Sequence, residues 1–569
     1  MAGLTTRPDA GAPDLLRPAG RHSGARCVAL GLAGTAATGA GLLLPAALGR
    51  ALDTLLAGGP ATGWVLCCAA LVLLTAVLDA AETVLTGTVD ARTTAWLRRR
   101  VSERMLALGP RAATRFGSGE LVARIVGNAA EAGTAPGARA ALLAACAGPL
   151  GGVVALALID FRLTAVLLVG APVLALLLRS LARDTAECAT DYQRAQGRIA
   201  SALAEAVAGH RTIAAAGTAD REAARVLRPL PELARAGHRM WRVQGRAAGR
   251  AVAVAPLLQL GVVAVAGVLL ARHRLSVGEV LAAARYAVLA SGVGVLVGRL
   301  SGLVRARAAA GRLAEVLARP APAHGTRPLP PGPGRLRMRG VTARLGDRTV
   351  LDGVDLDVPG GTTLAVVGRS GTGKSLLAAL AGRLADPDAG EVLLDGVPLR
   401  DLTHPELRSA VAYAFERPAL LGTTVEDTLA LGLSSPGPDR IREAARTARA
   451  DGFVRRLPRG YATPVADAPL SGGEAQRLGL ARAFAHGGRL LILDDALSSL
   501  DTVTEQQITR ALTARRRTTR LVVAHRAATA ARADAVAWLD GGRLRAVAGH
   551  AELWRDPEYR AVFGDGGRA

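Results

Sequence analysis

The stretch Leu364-Ala365-Val366-Val367-Gly368-Arg369-Ser370-Gly371-Thr372-Gly373-Lys374-Ser375-Leu376-Leu377-Ala378-Ala379-Leu380 decides how the C-terminal part of this chain folds. Its first four residues are all apolar, as in a strand covered on both faces of its sheet. Its last five form a Leu/Ala run of helical character. Between them lies GxxxxGK[ST], in which glycines let backbone N–H groups turn toward phosphate oxygens and the following helix adds its positive end. Strand, loop and helix in this order predict a phosphate cradle over Gly368, Arg369, Ser370, Gly371, Thr372, Gly373, Lys374 and Ser375. Lys374 would offer a point charge to the β- and γ-phosphates of a nucleotide, and Ser375 a hydroxyl to Mg²⁺.

That lysine stands alone. Of the 70 Lys+Arg residues among 569, every one but Lys374 is arginine. A chain that uses guanidinium elsewhere but keeps one compact ammonium is expected to use it chemically. Against 47 Asp+Glu the formal net charge is +23, which suits either a nucleic-acid binder or a membrane protein with basic cytoplasmic segments. Aromatic residues make up only 3%, too few stacking platforms for bases, so no nucleic-acid partner is expected. Half of the residues are apolar and 21% are charged, with a mean hydropathy of +0.27. Such a chain is too apolar for disorder and too long for a disulfide scaffold, which leaves a protein partnered by the lipid bilayer. Cys27, Cys67, Cys68, Cys146 and Cys188 form no CxxC pair and lie mostly in apolar runs. They read as small buried hydrophobes.

Crossing about 30 Å of hydrocarbon takes roughly 20 apolar residues. Six spans are expected, near residues 27–48, 58–82, 140–159, 163–180, 251–271 and 276–298. The first run is long enough to span, so it reads as a transmembrane helix and not as a signal peptide. Arg92, Arg98, Arg99, Arg100, Arg104, Arg111, Arg115 and Arg124 crowd the segment between the second and third spans, and the segment between the fourth and fifth is also Arg-rich. Basic loops stay in the cytoplasm, which places both termini there, with helices continuing beyond the bilayer. Pro320, Pro322, Pro328, Pro330, Pro331 and Pro333 then mark a linker that cannot stay helical. The expected organisation is a cytoplasmic tail at 1–26, a transmembrane domain at 27–318, a Pro/Gly-rich linker at 319–335 and a nucleotide-binding α/β domain at 336–569.

A second apolar strand, Leu490-Leu491-Ile492-Leu493, ends in Asp494 and Asp495. A carboxylate there can hold a metal through its water shell, which suits Asp494, while Asp495 would polarise an attacking water. Upstream stands Leu470-Ser471-Gly472-Gly473-Glu474-Ala475-Gln476-Arg477. With these motifs the chain resembles the ATP-binding cassette (ABC) transporters, whose signature is LSGGE followed by Gln and Arg. Ser498-Ser499-Leu500-Asp501 is similar to the family's D-loop, and His525, in Val522-Val523-Ala524-His525-Arg526, to its switch histidine. Residues 116–124 and 205–213 resemble the two coupling regions of exporter-type half-transporters, and Ser276-Val277-Gly278-Glu279-Val280 the entry to span six.

The resemblance implies an α-helical six-span membrane domain of ABC exporter type plus an α/β P-loop NTPase domain, in the cell membrane as a multi-pass protein. It implies ATP hydrolysis coupled to transport, with ATP and Mg²⁺ as cofactors and a second half-transporter as partner. Each nucleotide would sit between one subunit's phosphate loop and the other's Ser471, Gly472, Gly473 and Glu474. Asp495 and His525 would be catalytic, and Ser375, Glu416 and Asp494 would attend the metal.

Four positions depart from the family's pattern. Asp495 stands in place of glutamate; one methylene shorter, its carboxylate is drawn back by about 1 Å, which can cost about 10²-fold in rate. Glu416 occupies the glutamine position of the Q-loop, and when ionised it cannot donate as an amide does. Leu345 replaces the aromatic that usually stacks on adenine, and Val465-Ala466-Asp467-Ala468-Pro469 replaces a charged segment before the signature. By resemblance to heterodimeric exporters, Asp495 beside an intact signature marks the degenerate-site subunit of a heterodimer. A homodimeric exporter, an importer on the same fold and an ATP-binding-only subunit are the alternatives. Arg285, and Asp79 with Glu82, would be costly facing lipid and are expected to line a cavity or to pair between helices. The cargo expected is a modified peptide or a hydrophobic small molecule, and the tail is expected to be too short for a peptidase domain.

Overall fold

The computed structural model describes residues 15, 18, 23–109, 116, 118–434, 436–513 and 518–564. They fall into two compact units, one drawn from Met1–Ala107 and Phe116–Pro320, the other containing Ala321–Ala569. Arg111, Arg115, Gly117 and the Cys188 side chain lie outside the described residues.

In the second unit the strands are β1 (Leu336–Leu345), β2 (Arg348–Val358), β3 (Thr363–Val367), β4 (Ala389–Leu394), β5 (Val397–Pro398), β6 (Val411–Phe415), β7 (Leu490–Asp494), β8 (Thr519–Val523), β9 (Ala535–Asp540) and β10 (Arg543–Ala548). A four-stranded sheet has the order β2-β1-β4-β5 and a six-stranded sheet the order β10-β9-β3-β8-β7-β6. In the larger sheet β9, β3, β8, β7 and β6 run parallel. Both faces are covered, which explains the unbroken apolar runs in their sequences. Leu490, Ile492, Leu521 and Val523 pack with Leu377 and Leu380 on one face; Leu491, Leu493 and Val522 pack with Leu478, Ala481 and Phe484 on the other. Because neighbouring strands run the same way, everything that follows β3, β8, β7 and β6 emerges along one edge of the sheet.

The first unit is helical. Its long helices are Gly24–Leu56, Thr62–Leu108, Ala135–Ile159, Phe161–Ala208 and Leu230–Ala271, followed by Val277–Ala290 and Val293–Leu317. Thr62–Leu108 has 47 residues and Phe161–Ala208 has 48, about 70 Å each, more than twice the hydrocarbon thickness. Among the described residues, Gly24–Leu56, Thr62–Leu108 and Gly119–Ile159 are long and apolar enough to cross a membrane, and Phe161–Gly170 and Pro256–Ala271 are shorter apolar stretches. Within the sixth span expected near 276–298, the helix breaks at Ser291 and Gly292. The Ser291 hydroxyl donates to the Val288 carbonyl at 3.0 Å, a side-chain bond that competes with the helix ladder, and accepts from Gln259 Nε2 at 2.9 Å. The helix beginning at Val277 is tied to the first helix. Asp53 accepts from the Ser276 hydroxyl at 2.6 Å and the Gly278 N–H at 2.7 Å. A Cβ on Gly278 would fall 2.0 Å from the Gly49 carbonyl, so small residues set this contact.

Ser118–Ala123 is a short helix that passes into a π-helical turn at Arg124–Asn128. Arg98 donates to two backbone carbonyls of this turn, Ile125 and Val126, at 3.2 Å each. Arg124 is buried; its guanidinium bonds Glu120 and the Arg312 carbonyl and meets Glu315 at 2.8 Å. Of the charges expected to be costly in lipid, Glu82 lies 3.7 Å from Arg299, while Asp79 and Arg285 are exposed. Cys68 is buried, Cys27 and Cys146 are half-buried, and Cys67 is exposed on its helix, not buried as the sequence suggests. Consecutive residues cannot share one face of a helix.

Candidate active site

Four sequence segments meet at the sheet edge because their strands are neighbours. Gly368 follows β3, His525 follows β8, Asp494 and Asp495 close β7, and Glu416 follows β6. The loop after β3 needs glycine where side chains would not fit: a Cβ on Gly368 would lie 2.3 Å from the Leu539 carbonyl, and Gly373 has φ of +100° with a Cβ clash at 2.8 Å against Leu351. The Lys374–Ala381 helix starts on this loop. Lys374 is buried, and its ammonium donates to the Gly368 and Arg369 carbonyls at 2.8 and 3.0 Å. Burial holds its pKa below the usual lysine value, against the pull of Asp495 and Asp494.

Asp494 is half-buried and faces Tyr413, whose phenol donates to Oδ2 at 3.4 Å. Burial pushes its carboxyl up, opposed by the Ser375 and Tyr413 hydroxyls. Its Oδ1 is buried with no hydrogen-bond partner. An orphaned carboxylate oxygen needs an occupant, and beside the exposed Ser375 hydroxyl it fits a hydrated Mg²⁺. Glu416 is exposed and adds a smaller upward push on both aspartates.

Asp495 has φ of +53°, the left-handed region that costs most L-residues about 1–2 kcal/mol but that aspartate tolerates better than most. Its Oδ2 lies 2.9 Å from Nε2 of His525. Burial raises its carboxyl pKa, and His525 opposes the rise. Ser471 begins the Gly472–His486 helix with a capping box: the Ser471 hydroxyl accepts from the Glu474 N–H at 3.3 Å and the Ser471 N–H donates to Glu474 at 3.0 Å. Those bonds hold the Glu474 carboxyl below its usual range. The two glycines of the signature thus sit in the first turn of a capped helix.

A residue quoted in the signature but given no role in the sequence reading occupies the centre. Gln476 is buried; its Nε2 donates to the Glu416 and Asp495 carbonyls at 3.2 Å each and to the Ser498 hydroxyl at 3.4 Å. Its Oε1 accepts from the Ser499 N–H at 3.1 Å. Its signal in the sequence is a polar residue on the otherwise apolar face shared with Leu480 and Ala483. Leu345, at the end of β1, is exposed. Val465–Asp467 forms a 3₁₀ turn.

A family model for the ABC transporter transmembrane region matches residues 28–292, and one described as ABC transporter matches residues 351–498. The chain is 54% identical over 537 residues to the ABC transporter ATP-binding protein RamA of Streptomyces coelicolor, covering 94% of this chain and 84% of that protein. The chain belongs to the ABC transporters. It is a fused membrane and nucleotide-binding half of this family, an ATPase coupled to transport. The transporter is also similar to the multidrug efflux ATP-binding/permease protein Rv0194 of Mycobacterium tuberculosis, 36% identical over 71% of this chain and 34% of that protein. An ATP-dependent lipid A-core flippase of Chromohalobacter salexigens is 42% identical over 40% of this chain and 41% of that protein. A solved structure of a bacterial Atm1-family ABC exporter with ATP bound shares the fold, with TM-score 0.82, 24% identity, and coverage of 97% of this chain and 99% of that one. The transporter is therefore a multi-pass membrane protein of the Atm1-type exporter fold.

Proposed function

We propose that this transporter is the degenerate-site subunit of a heterodimeric exporter with six spans and a cytoplasmic nucleotide-binding domain, driving a modified peptide or hydrophobic small molecule across the cell membrane. The observation that carries the reading is Asp495, the shorter acid, at the end of β7 in a chain whose Ser471–Glu474 capping box is complete. Such a chain is a weak hydrolase at its own site and a sound signature donor to its partner's. The names of the efflux and lipid A-core relatives support an apolar or amphipathic cargo.

In the working cycle Lys374 gives up the Gly368 and Arg369 carbonyls for β- and γ-phosphate oxygens of ATP. The loop from Gly368 to Ser375 supplies backbone N–H groups to the same phosphates. Ser375 and Asp494, with Glu416, would hold Mg²⁺, which when bound would supply charge neutralisation on the phosphate oxygens. Asp495 orients and polarises the attacking water, and His525 turns from Asp495 to donate to the γ-phosphate. Closure of two nucleotide-binding domains over ATP would turn the cavity outward, and hydrolysis would reset it.

Purification of the tagged chain from its native membrane, with native mass spectrometry, tests the assembly. A mixed dimer whose partner has glutamate at the position matching Asp495 is expected; a dimer of two identical chains overturns the heterodimer. Uptake into inside-out vesicles tests direction, a question raised by similarity to the mycobactin import ATP-binding/permease protein IrtB of Mycolicibacterium smegmatis, 42% identical over 37% of each chain.

A further inference from the structure

Asp495 holds a left-handed backbone at φ of +53° in the one stretch where its carboxylate must be aimed. A side chain in that region keeps its conformation only when its surroundings fix it. Its carboxylate meets His525, a residue that must leave to serve a nucleotide. Its carbonyl meets the Gln476 amide at 3.2 Å, and Gln476 is buried on the signature helix. The same amide group holds the Glu416 carbonyl and both serines of the 498–501 segment.

We infer that Gln476 is a positioning residue for hydrolysis: its amide fixes the Asp495 backbone, and so the direction of the Asp495 carboxylate, and joins that residue to the signature helix. Only an amide suits the place. It must donate to two carbonyls and accept from the Ser499 N–H at once; a carboxylate accepts only, and an alkyl chain does neither. The inference rests on the reading of Asp495 as the water-polarising group, and it assigns this residue's aim to a side chain 19 positions upstream.

The test uses the full chain co-assembled with the partner subunit it purifies with, in nanodiscs with Mg-ATP, measuring ATP affinity and the single-turnover hydrolysis rate at the site built on Lys374. Gln476→Glu keeps size and the acceptor while losing both donors. It is expected to slow hydrolysis tenfold or more with the ATP dissociation constant within twofold of wild type. Gln476→Met, which places no charge in the buried site, is expected to behave alike. In an Asp495→Asn background either change is expected to cost less than a further twofold, because two changes acting through one group are not additive. Hydrolysis by both Gln476 variants within twofold of wild type overturns the inference, as does a full tenfold loss on top of Asp495→Asn. An unchanged rate in Asp495→Asn alone takes down the underlying reading of that residue as well, whereas a loss there without one in the Gln476 variants removes only this inference.

Discussion

The imidazole of His525 meets the carboxylate of Asp495 at 2.9 Å between Nε2 and Oδ2, across the mouths of the neighbouring strands β8 and β7. Two groups assigned to the γ-phosphate side thus satisfy each other while Lys374 satisfies the loop carbonyls. The left-handed backbone at Asp495 suits aspartate better than glutamate, so the chain favours local comfort over reach. Asp495→Glu is expected to raise the rate of phosphate release by about 10- to 100-fold, the value of roughly an ångström at a reacting centre. A rate equal to that of wild type would show that reach is not what limits this site.

Leu345 presents an exposed alkyl chain at the end of β1. An aromatic there would give adenine a stacking face worth about 1–3 kcal/mol, a gain of roughly 5- to 100-fold in affinity. Leu345→Tyr is expected to tighten ATP binding by that order in equilibrium titration while leaving triphosphate affinity alone unchanged. Equal tightening for inorganic triphosphate would contradict the stacking role.

His486 and His550 are both held below the usual histidine range by burial, and Nδ1 of His486 has no hydrogen-bond partner. Their folded pKa values are depressed, so the unfolded chain takes up these protons first. The stability they contribute is present above about pH 6.5 and is lost as pH falls below it. Asp494 and Asp495, with raised values, act in the opposite sense over more acidic pH. Thermal unfolding of the full chain at pH 7.5 and 5.5 is expected to show a smaller acid-side drop in His550→Asn than in wild type. An equal or larger drop in the variant would refute the assignment.

Asp53 takes two donors from the start of the Val277–Ala290 helix. Asp53→Ala leaves the Gly278 N–H and the Ser276 hydroxyl without that partner, at about 1–3 kcal/mol for buried groups left unsatisfied. The expected outcome is a lower unfolding midpoint in detergent with ATP affinity unchanged. An unchanged midpoint would show that water or lipid headgroups replace the carboxylate.

The parts of this molecule that were legible in its sequence are those where chemistry demands a residue type in a fixed order. Gly368 to Ser375 can be read because strand, glycines and lysine are contiguous, and Asp494 because an apolar strand ends on it. The break at Ser291 and Gly292 was hidden, because apolar residues on either side satisfy a single-span pattern and the Gln259 amide that bonds the Ser291 hydroxyl stands 32 residues away. The π-helical turn at Arg124–Asn128 was hidden likewise: the side chain that bonds two of its carbonyls is Arg98, on another helix. Gln476 was visible as a letter of the signature but not as a hub, since its partners come from two separate loops, one after β6 and one after β7. Long-range hydrogen bonds leave little trace in local periodicity.

The most direct measurement is equilibrium binding of Mg-ATP to this chain in nanodiscs, wild type against Lys374→Ala. Saturable binding that weakens by at least 100-fold in the variant is the expected result. Equal retention of nucleotide by both proteins, or none by wild type, would contradict the account.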